Sequence, residues 1–368
     1  MMKDDNTRSS IIPALLALAA LTLCARFPAA ETYYVPGDYN SIGSAMSVST
    51  GGDSIIVGPG VYHDLCRETD FGLTKLKMKN RVTLLSSAGP EETIIDGERE
   101  CRVFYCEDLT DETIIEGFTI ARGDATGDYP GGFGGGMFMT GSMLIIRNCV
   151  FTGNIATVGA GLYAVEGSSP QLIDCAFVDN EAAASGGGIL AATCALRLES
   201  CTITNNRALR GGALALSLDQ GTALDGCTLA GNTSSWGGGI HIFQSPVAPD
   251  LERTIIWGNC APNGSQAYLE DGDAVLTCCA YDPEGLESAG GEFHLIGGQV
   301  TVDPLFCAPQ SCQNSPTPLG DYHLADASPC LPEVSPCGSL IGALPAACSH
   351  PTATRRVTWG GLKQRFGK

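Results

Sequence analysis

A parallel β-helix, a solenoid of short strands making about ten turns, is the fold class these 368 residues predict. Three observations predict it. One phrase recurs in register: NCVFTGN (148–154), DCAFVDN (174–180), SCTITNN (200–206), GCTLAGN (226–232) and RTIIWGN (253–259). The cysteines at 149, 175, 201 and 227 are spaced by 26 residues each time. A glycine-rich signal separates successive copies, as GGGM (134–137), GAGL (159–162), GGGI (186–189), GGAL (211–214) and GGGI (237–240). So short a fixed period makes each copy one turn, stable only against its neighbours.

The rows within a turn follow from counting outward from the cysteine. Three positions before it stand Ile146, Leu172, Leu198, Leu224 and Leu251, and two after it Phe151, Phe177, Ile203, Leu229 and Ile256. With the cysteines these rows face inward. The step of two is the period of a strand, and the step of three requires a corner. A second short strand follows each glycine signal, with Phe138, Tyr163 and His241 pointing outward from it. Stacked turns lie about 4.8 Å apart.

An open stack needs finished ends, because terminal turns expose strand edges. Ile42, Ala45 and Met46 at helical spacing suit an N-terminal cap helix, and residues 303–348, rich in Pro and Cys, suit a C-terminal cap. The expected organisation is a signal peptide over 1–30, the β-helix with its caps over 31–348, and a basic tail over 349–368. The apolar run Ile11–Leu23 followed by Ala29-Ala30 has the layout of an export signal, so a secreted or cell-surface location is expected. In the tail, Arg355, Arg356, Lys363, Arg365 and Lys368 reverse the charge of the chain. Val357, Trp359, Leu362 and Phe366 would form one face of a short helix there, as a sorting or attachment signal or a frayed end.

Composition narrows the partners. A net charge of −19 and a pI near 4.5 disfavour nucleic acid and anionic membranes. No segment after the signal is apolar and long enough to span a bilayer. A monomer is expected.

The seventeen cysteines divide. Cys149, Cys175, Cys201 and Cys227 form a buried ladder of thiols, too widely spaced for disulfides. In the C-terminal stretch, Cys330 with Cys337 is the expected bridge, and Cys307 with Cys348 a second. The asparagines Asn154, Asn180, Asn206, Asn232 and Asn259 end a strand in every turn. That placement suits a structural ladder of amides near the left-handed region.

Four surface features carry the functional candidates. Lys75, Lys77 and Lys79 alternate with Leu76 and Met78, which makes one cationic strand face, an edge protected from pairing or an anion site. Glu199, Asp225 and Glu252 stack outward on consecutive turns, where like charges repel unless solvent or a hard cation such as Ca²⁺ lies among them. Phe138 and Tyr163, with His241 further along, form an outward row on which sugar rings could stack. Arg197, Arg207 and Arg210 are candidate bases for an elimination.

The opening YYVPGDYNSIGSAM…GGDSIIVGPGVYHD (33–64), IIEGFTIARG (114–123), DPLF (303–306) and SPC…C…IGAL (328–344) resemble the secreted right-handed parallel β-helix proteins of bacteria, the pectin-lyase-like fold. The alternating GG-(A/G)-(I/L) and F-x-x-N signals are similar to the repeats of polymorphic outer-membrane proteins. The resemblance implies a right-handed coil over residues 33–348 and leaves the activity open, because lyases, hydrolases and adhesins share this fold. The Gly-His-Gly and Arg-Ile-Lys of the polygalacturonase branch are absent. The leading expectation is a binding wall for polysaccharide or another cell-surface component. A Ca²⁺-dependent pectate-type lyase and a purely structural surface protein are the alternatives.

Overall fold

In this computed structural model the described residues are 29–127 and 131–349. The expected signal peptide lies outside them but for its last two residues, and so does the tail from residue 350. The described chain winds through three long faces. The first is an 11-stranded sheet running from Thr32–Val35 to Phe293–Ile296. The second has nine strands, from Gly60–Tyr62 to Ala280–Tyr281, and the third ten. Pairing between turns is parallel, the antiparallel strand Arg67–Thr69 at the edge of the third face being the exception, and the first face counts one turn more than the expected ten.

The inward rows stack as their spacing requires. Ile146 pairs with Leu172, Leu172 with Leu198, Leu198 with Leu224 and Leu224 with Leu251, and all are at most 2% exposed. Burying each such side chain contributes about 1.5–3 kcal/mol before entropy is charged against it. Phe151 lies flat on Phe177, with ring centroids 4.5 Å apart.

Corners are set by residues in the left-handed region. Just before each cysteine row sit Asn148, Asp174, Ser200, Gly226 and Arg253, every one at positive φ. The glycine signal makes another corner. Gly186 has φ +67°, and a Cβ on Gly187 would come within 2.5 Å of the Gly212 carbonyl oxygen on the next turn. Only glycine meets both conditions.

The asparagine row is a continuous ladder of amides. Asn154 Nδ2 donates to Asn180 Oδ1 at 2.9 Å, Asn180 to Asn206 at 2.9 Å, Asn206 to Asn232 at 3.0 Å and Asn232 to Asn259 at 2.9 Å. Each receiving oxygen also accepts the backbone N–H of the preceding asparagine. The ladder starts at the Gly123 N–H, which donates to Asn154, and stops at Gln266 Oε1. The left-handed residue is the one before each asparagine (Gly153, Asp179, Asn205, Gly231, Gly258). The asparagines themselves keep ordinary φ, a correction to the expected placement.

The two ends differ. At the N-terminal end the helix α1 (Ile42–Val48) buries Ile42, Ala45 and Met46, with Ser41 as its N-cap. Gly43 N–H donates to the buried Asp64 carboxylate at 2.8 Å. Lys79 Nζ donates to the carbonyls of Ser47 and Ser49 at 2.8 and 2.7 Å, closing the other end of α1. The disulfide-bonded C-terminal segment instead runs back along the side of the second face. There Phe306, Tyr322, Leu324 and Ile341 pack on Ala230, Ile255 and Ala280. Asn205 ties it down, accepting from Tyr322 Oη and donating to the Leu319 carbonyl.

Four disulfides staple the described chain: Cys66–Cys101, Cys260–Cys312, Cys278–Cys337 and Cys307–Cys348. The expected Cys330–Cys337 bridge does not form. Cys337 reaches the solenoid corner at Cys278, whereas Cys330 turns into the apolar layer beside Leu324 and Ile341 as a buried free thiol. Nearness in sequence did not survive the turn of residues 331–335 between them. Cys149, Cys175, Cys201 and Cys227 are buried and free, and burial pushes the Cys149 thiol up to about 12.

Candidate functional site: the outer wall of the third face

One outward row runs the length of the third face: Lys77, Tyr105, Phe138, Tyr163, Leu190, Ala215, His241, Tyr268 and Glu287, one per turn. Phe138 and Tyr163 are stacked in it, with centroids 5.5 Å apart. They do not form an open platform. Phe71 lies 4.9 Å from Phe138, Phe133 lies 5.1 Å from Tyr163, and the Arg102 guanidinium sits over the Phe138 ring. Phe138 is 1% exposed as a result. The side chains point outward as expected, but a layer of the chain's own residues buries Phe138 and leaves Tyr163 partly exposed.

The row opens where its side chains shrink. Leu190 and Ala215 follow Tyr163, and beyond them the rings resume with His241 and Tyr268, stacked 5.8 Å apart. The gap is a groove of about 160 Å³. Leu190 and Ala215 form its floor, and Ser217 lines its edge. Arg210 stands on one side with its guanidinium over the Trp236 ring at 5.4 Å, and Phe243 and Glu270 stand on the other. His241 Nε2 meets Glu270 Oε2 at 3.2 Å. Burial lowers the His241 pKa from its ordinary value, against the pull of Glu270. The groove thus has an apolar floor, a cation and a histidine–carboxylate pair, the mix that holds small polar ligands in orientation.

Of the expected residues, only His241 and Arg210 meet here. Leu190, Ala215, Phe243 and Glu270 were not singled out from the sequence. A signal was present, because Leu190, Ala215 and His241 each directly follow a glycine-rich corner, as Phe138 and Tyr163 do.

The acidic stack is on the first face. Glu199 pairs in register with Asp225, and Asp225 with Glu252. Arg253 folds back over them from its left-handed corner, bonding Asp225 through both Nε and Nη2 and lying 3.7 Å from Glu252. An arginine therefore already balances charge that Ca²⁺ was expected to balance. No group of three or more His, Cys, Asp or Glu side chains among the described residues is placed to hold a metal.

A larger groove of about 360 Å³ lies beside α1 and is lined by Lys75, Lys77 and Lys79. Their charge is used internally. Buried Lys75 pairs with Glu98 and Glu100 at 3.0 and 3.1 Å, Lys77 pairs with Glu107 at 2.7 Å, and Lys79 closes α1. Arg207 is likewise paired, with Glu181 at 2.6 Å. No helix among the described residues is long and apolar enough to cross a membrane.

One family model agrees with the coil. Described as "Right handed beta helix region", it matches residues 108–273. Among solved structures, the pectate lyase Pel9A is similar at 13% identity and a TM-score of 0.49, over 87% of this chain and 97% of that one. A pectin methylesterase from Aspergillus niger is similar at 12% identity and 0.40, over 76% and 88%. The pectin methylesterase PemA from Erwinia chrysanthemi is similar at 11% and 0.35, over 73% and 80%. No curated protein matches the sequence.

Proposed function

We propose that this chain is an extracellular β-helix protein that binds polysaccharide along its third face, with the groove beside His241 as the anchoring subsite. The observation that carries this reading is the gap in the outer row. Two aliphatic residues, Leu190 and Ala215, interrupt a line of rings, and the gap has room for one sugar ring between polar walls. Apolar floors suit the C–H face of a sugar, while Arg210, Ser217, His241 and Glu270 offer hydrogen bonds at its edges. Arg210 also supplies a local cation on a chain of net charge −19, which favours an anionic residue in the bound glycan. Four disulfides support an oxidising, extracellular compartment, in keeping with the expected signal peptide and a secreted or surface location.

Calorimetric titration with a panel of neutral and uronate-containing oligosaccharides tests the reading. Arg210→Ala should weaken binding by about tenfold to a hundredfold, as loss of a charged hydrogen bond does, with the thermal midpoint unchanged. Absence of saturable binding across the panel would overturn it.

The His241–Glu270 pair favours one second reading, a lyase that removes a proton from a uronate held in the groove. A Ca²⁺-dependent version draws only on the acidic stack, which is on another face. Formation of ultraviolet-absorbing unsaturated uronate, lost in His241→Ala, would establish a lyase. Its absence alongside binding leaves the wall as a binding surface.

A further inference from the structure

The third face begins with its antiparallel exception, the hairpin of Arg67–Thr69 and Gly72–Lys77. The outer strand is three residues long and pairs with the inner one alone. Arg67, Glu68 and Leu73 are exposed, so little apolar burial holds that strand down, and the Cys66–Cys101 bridge ties it at its base. Phe71, at the tip, is half-buried. Its ring leans on two rings of the outer row, with centroids 4.9 Å from Phe138 and 5.8 Å from Tyr105. Those two stack on each other at 5.8 Å. A flat aromatic pair is an apolar floor of the kind that the C–H face of a sugar suits, and here a ring of the chain itself lies on it.

Beneath the tip is a cation whose charge is met by neutral groups. Arg102 is 1% exposed, and its guanidinium sits 5.2 Å over the Phe138 ring. Nε donates to the carbonyls of Phe133 and Gly134 at 2.7 and 3.1 Å. Nη2 donates to the carbonyl of Phe71 itself at 3.1 Å, and Nη1 has no partner among the described residues. Burial lowers the Arg102 pKa to about 10. Carbonyls do not repay the desolvation of a buried charge as an anion does, and an arginine fork with an open nitrogen suits a carboxylate. Lys77 adds a second cation, 5.0 Å over the Tyr105 ring.

We propose that Phe71 is the lid of a second glycan subsite: when the hairpin tip lifts, a uronate ring replaces Phe71 on Tyr105 and Phe138 and sets its carboxylate against Arg102. The proposal rests on the reading of the third face as a glycan-binding wall. Phe138 stands three turns from Ala215, by way of Tyr163 and Leu190, which is roughly 14 Å. One oligosaccharide longer than that span reaches both the groove beside His241 and the lidded subsite, and joining the two strengthens binding through effective concentration. A shorter one fills the groove and leaves the lid shut.

Calorimetric titration of the native chain and of Phe71→Ala, with oligosaccharides shorter and longer than this span, tests the lid. The longer uronate oligosaccharides should bind Phe71→Ala about tenfold more tightly than the native chain, and the shorter ones should bind both equally, which also shows that the variant folds. A gain as large with neutral oligosaccharides would overturn the role given to Arg102. In the native chain, a saturating long uronate oligosaccharide should speed amide exchange at Gly72–Thr74 several-fold, as an opened hairpin does, and a short one should not. Equal affinities of the two chains for the longer oligosaccharides, or a hairpin that exchanges no faster, would overturn the lid and leave the groove standing on its short ligands. Absence of binding at either length in either chain would overturn both.

Discussion

The N-terminal end of the stack is sealed by its own described residues, and the C-terminal end is not. At the first, a short helix fills the mouth with Ile42 and Met46, and a lysine and an aspartate pin that helix at either end. At the second, Leu295, in register with buried Leu276, holds a core position against water. The contrast teaches that being inward in a solenoid is not the same as being buried. A next turn or a plug must complete the enclosure, and register alone does not supply it.

Matched truncations should separate the ends most sharply. Ile42→Ala, in a site with no exposure, should cost about 2–5 kcal/mol. Chemical denaturation checks it, and a loss as small as that of an ordinary surface change would mean that α1 is not the seal. Next in size, Cys337→Ser removes the bond to Cys278 that ties the lateral segment beside the last turn. A loss of about 2–4 kcal/mol is expected, with faster amide exchange at Phe293–Ile296. Lys79→Met should cost about 0.3–1 kcal/mol, the worth of a cation at a helix C-terminus, and should fray α1 without altering the asparagine ladder. Smallest of all, Leu295→Ala should stay within about 0.5 kcal/mol, because the side chain is already half exposed.

Acid should treat the ends alike. Backbone N–H groups of Glu31 and Thr50 hold the Asp53 carboxyl below its ordinary value, and Lys75 does the same to Glu98. At the other end the Glu292 N–H, with His294, lowers Asp273. A depressed carboxylate stabilises the fold above its unfolded pKa of about 4 and loses that contribution as pH falls through the folded value. Amide exchange followed downward in pH should therefore show both ends loosening below about pH 4 while the ladder, built of amides that do not titrate, persists.

The periodic part of this molecule was legible because each turn repeats its own evidence. Five leucine or isoleucine positions, four cysteines and five asparagines all report one register, and an error at one would have clashed with the rest. What escaped was aperiodic. The route of the lateral segment, and with it the choice of Cys278 over Cys330 as partner of Cys337, rests on contacts between residues some 60 positions apart. The covering of Phe138 by Phe71 has the same origin. The groove was half legible. His241 and Arg210 drew notice as chemistry, but the space between them opens where Leu190 and Ala215 replace rings, and aliphatic residues announce nothing by themselves.

The asparagine ladder has a consequence for how this protein can change length. Its amides all point one way along the axis, and both terminators, Gly123 and Gln266, lie outside the copies they bracket. Excising residues 175–200 as a block would join Asp174 to Cys201 and bring Asn154 against Asn206 with the same donor facing the same acceptor. Every inward row would close over the cut in register. A whole-unit deletion therefore leaves no buried amide unsatisfied, whereas Asn180→Ala strands polar groups in the core at about 1–3 kcal/mol apiece. Gain or loss of entire copies is the mutational path of least resistance here, and the wall is in effect a ruler graduated in steps of one strand spacing.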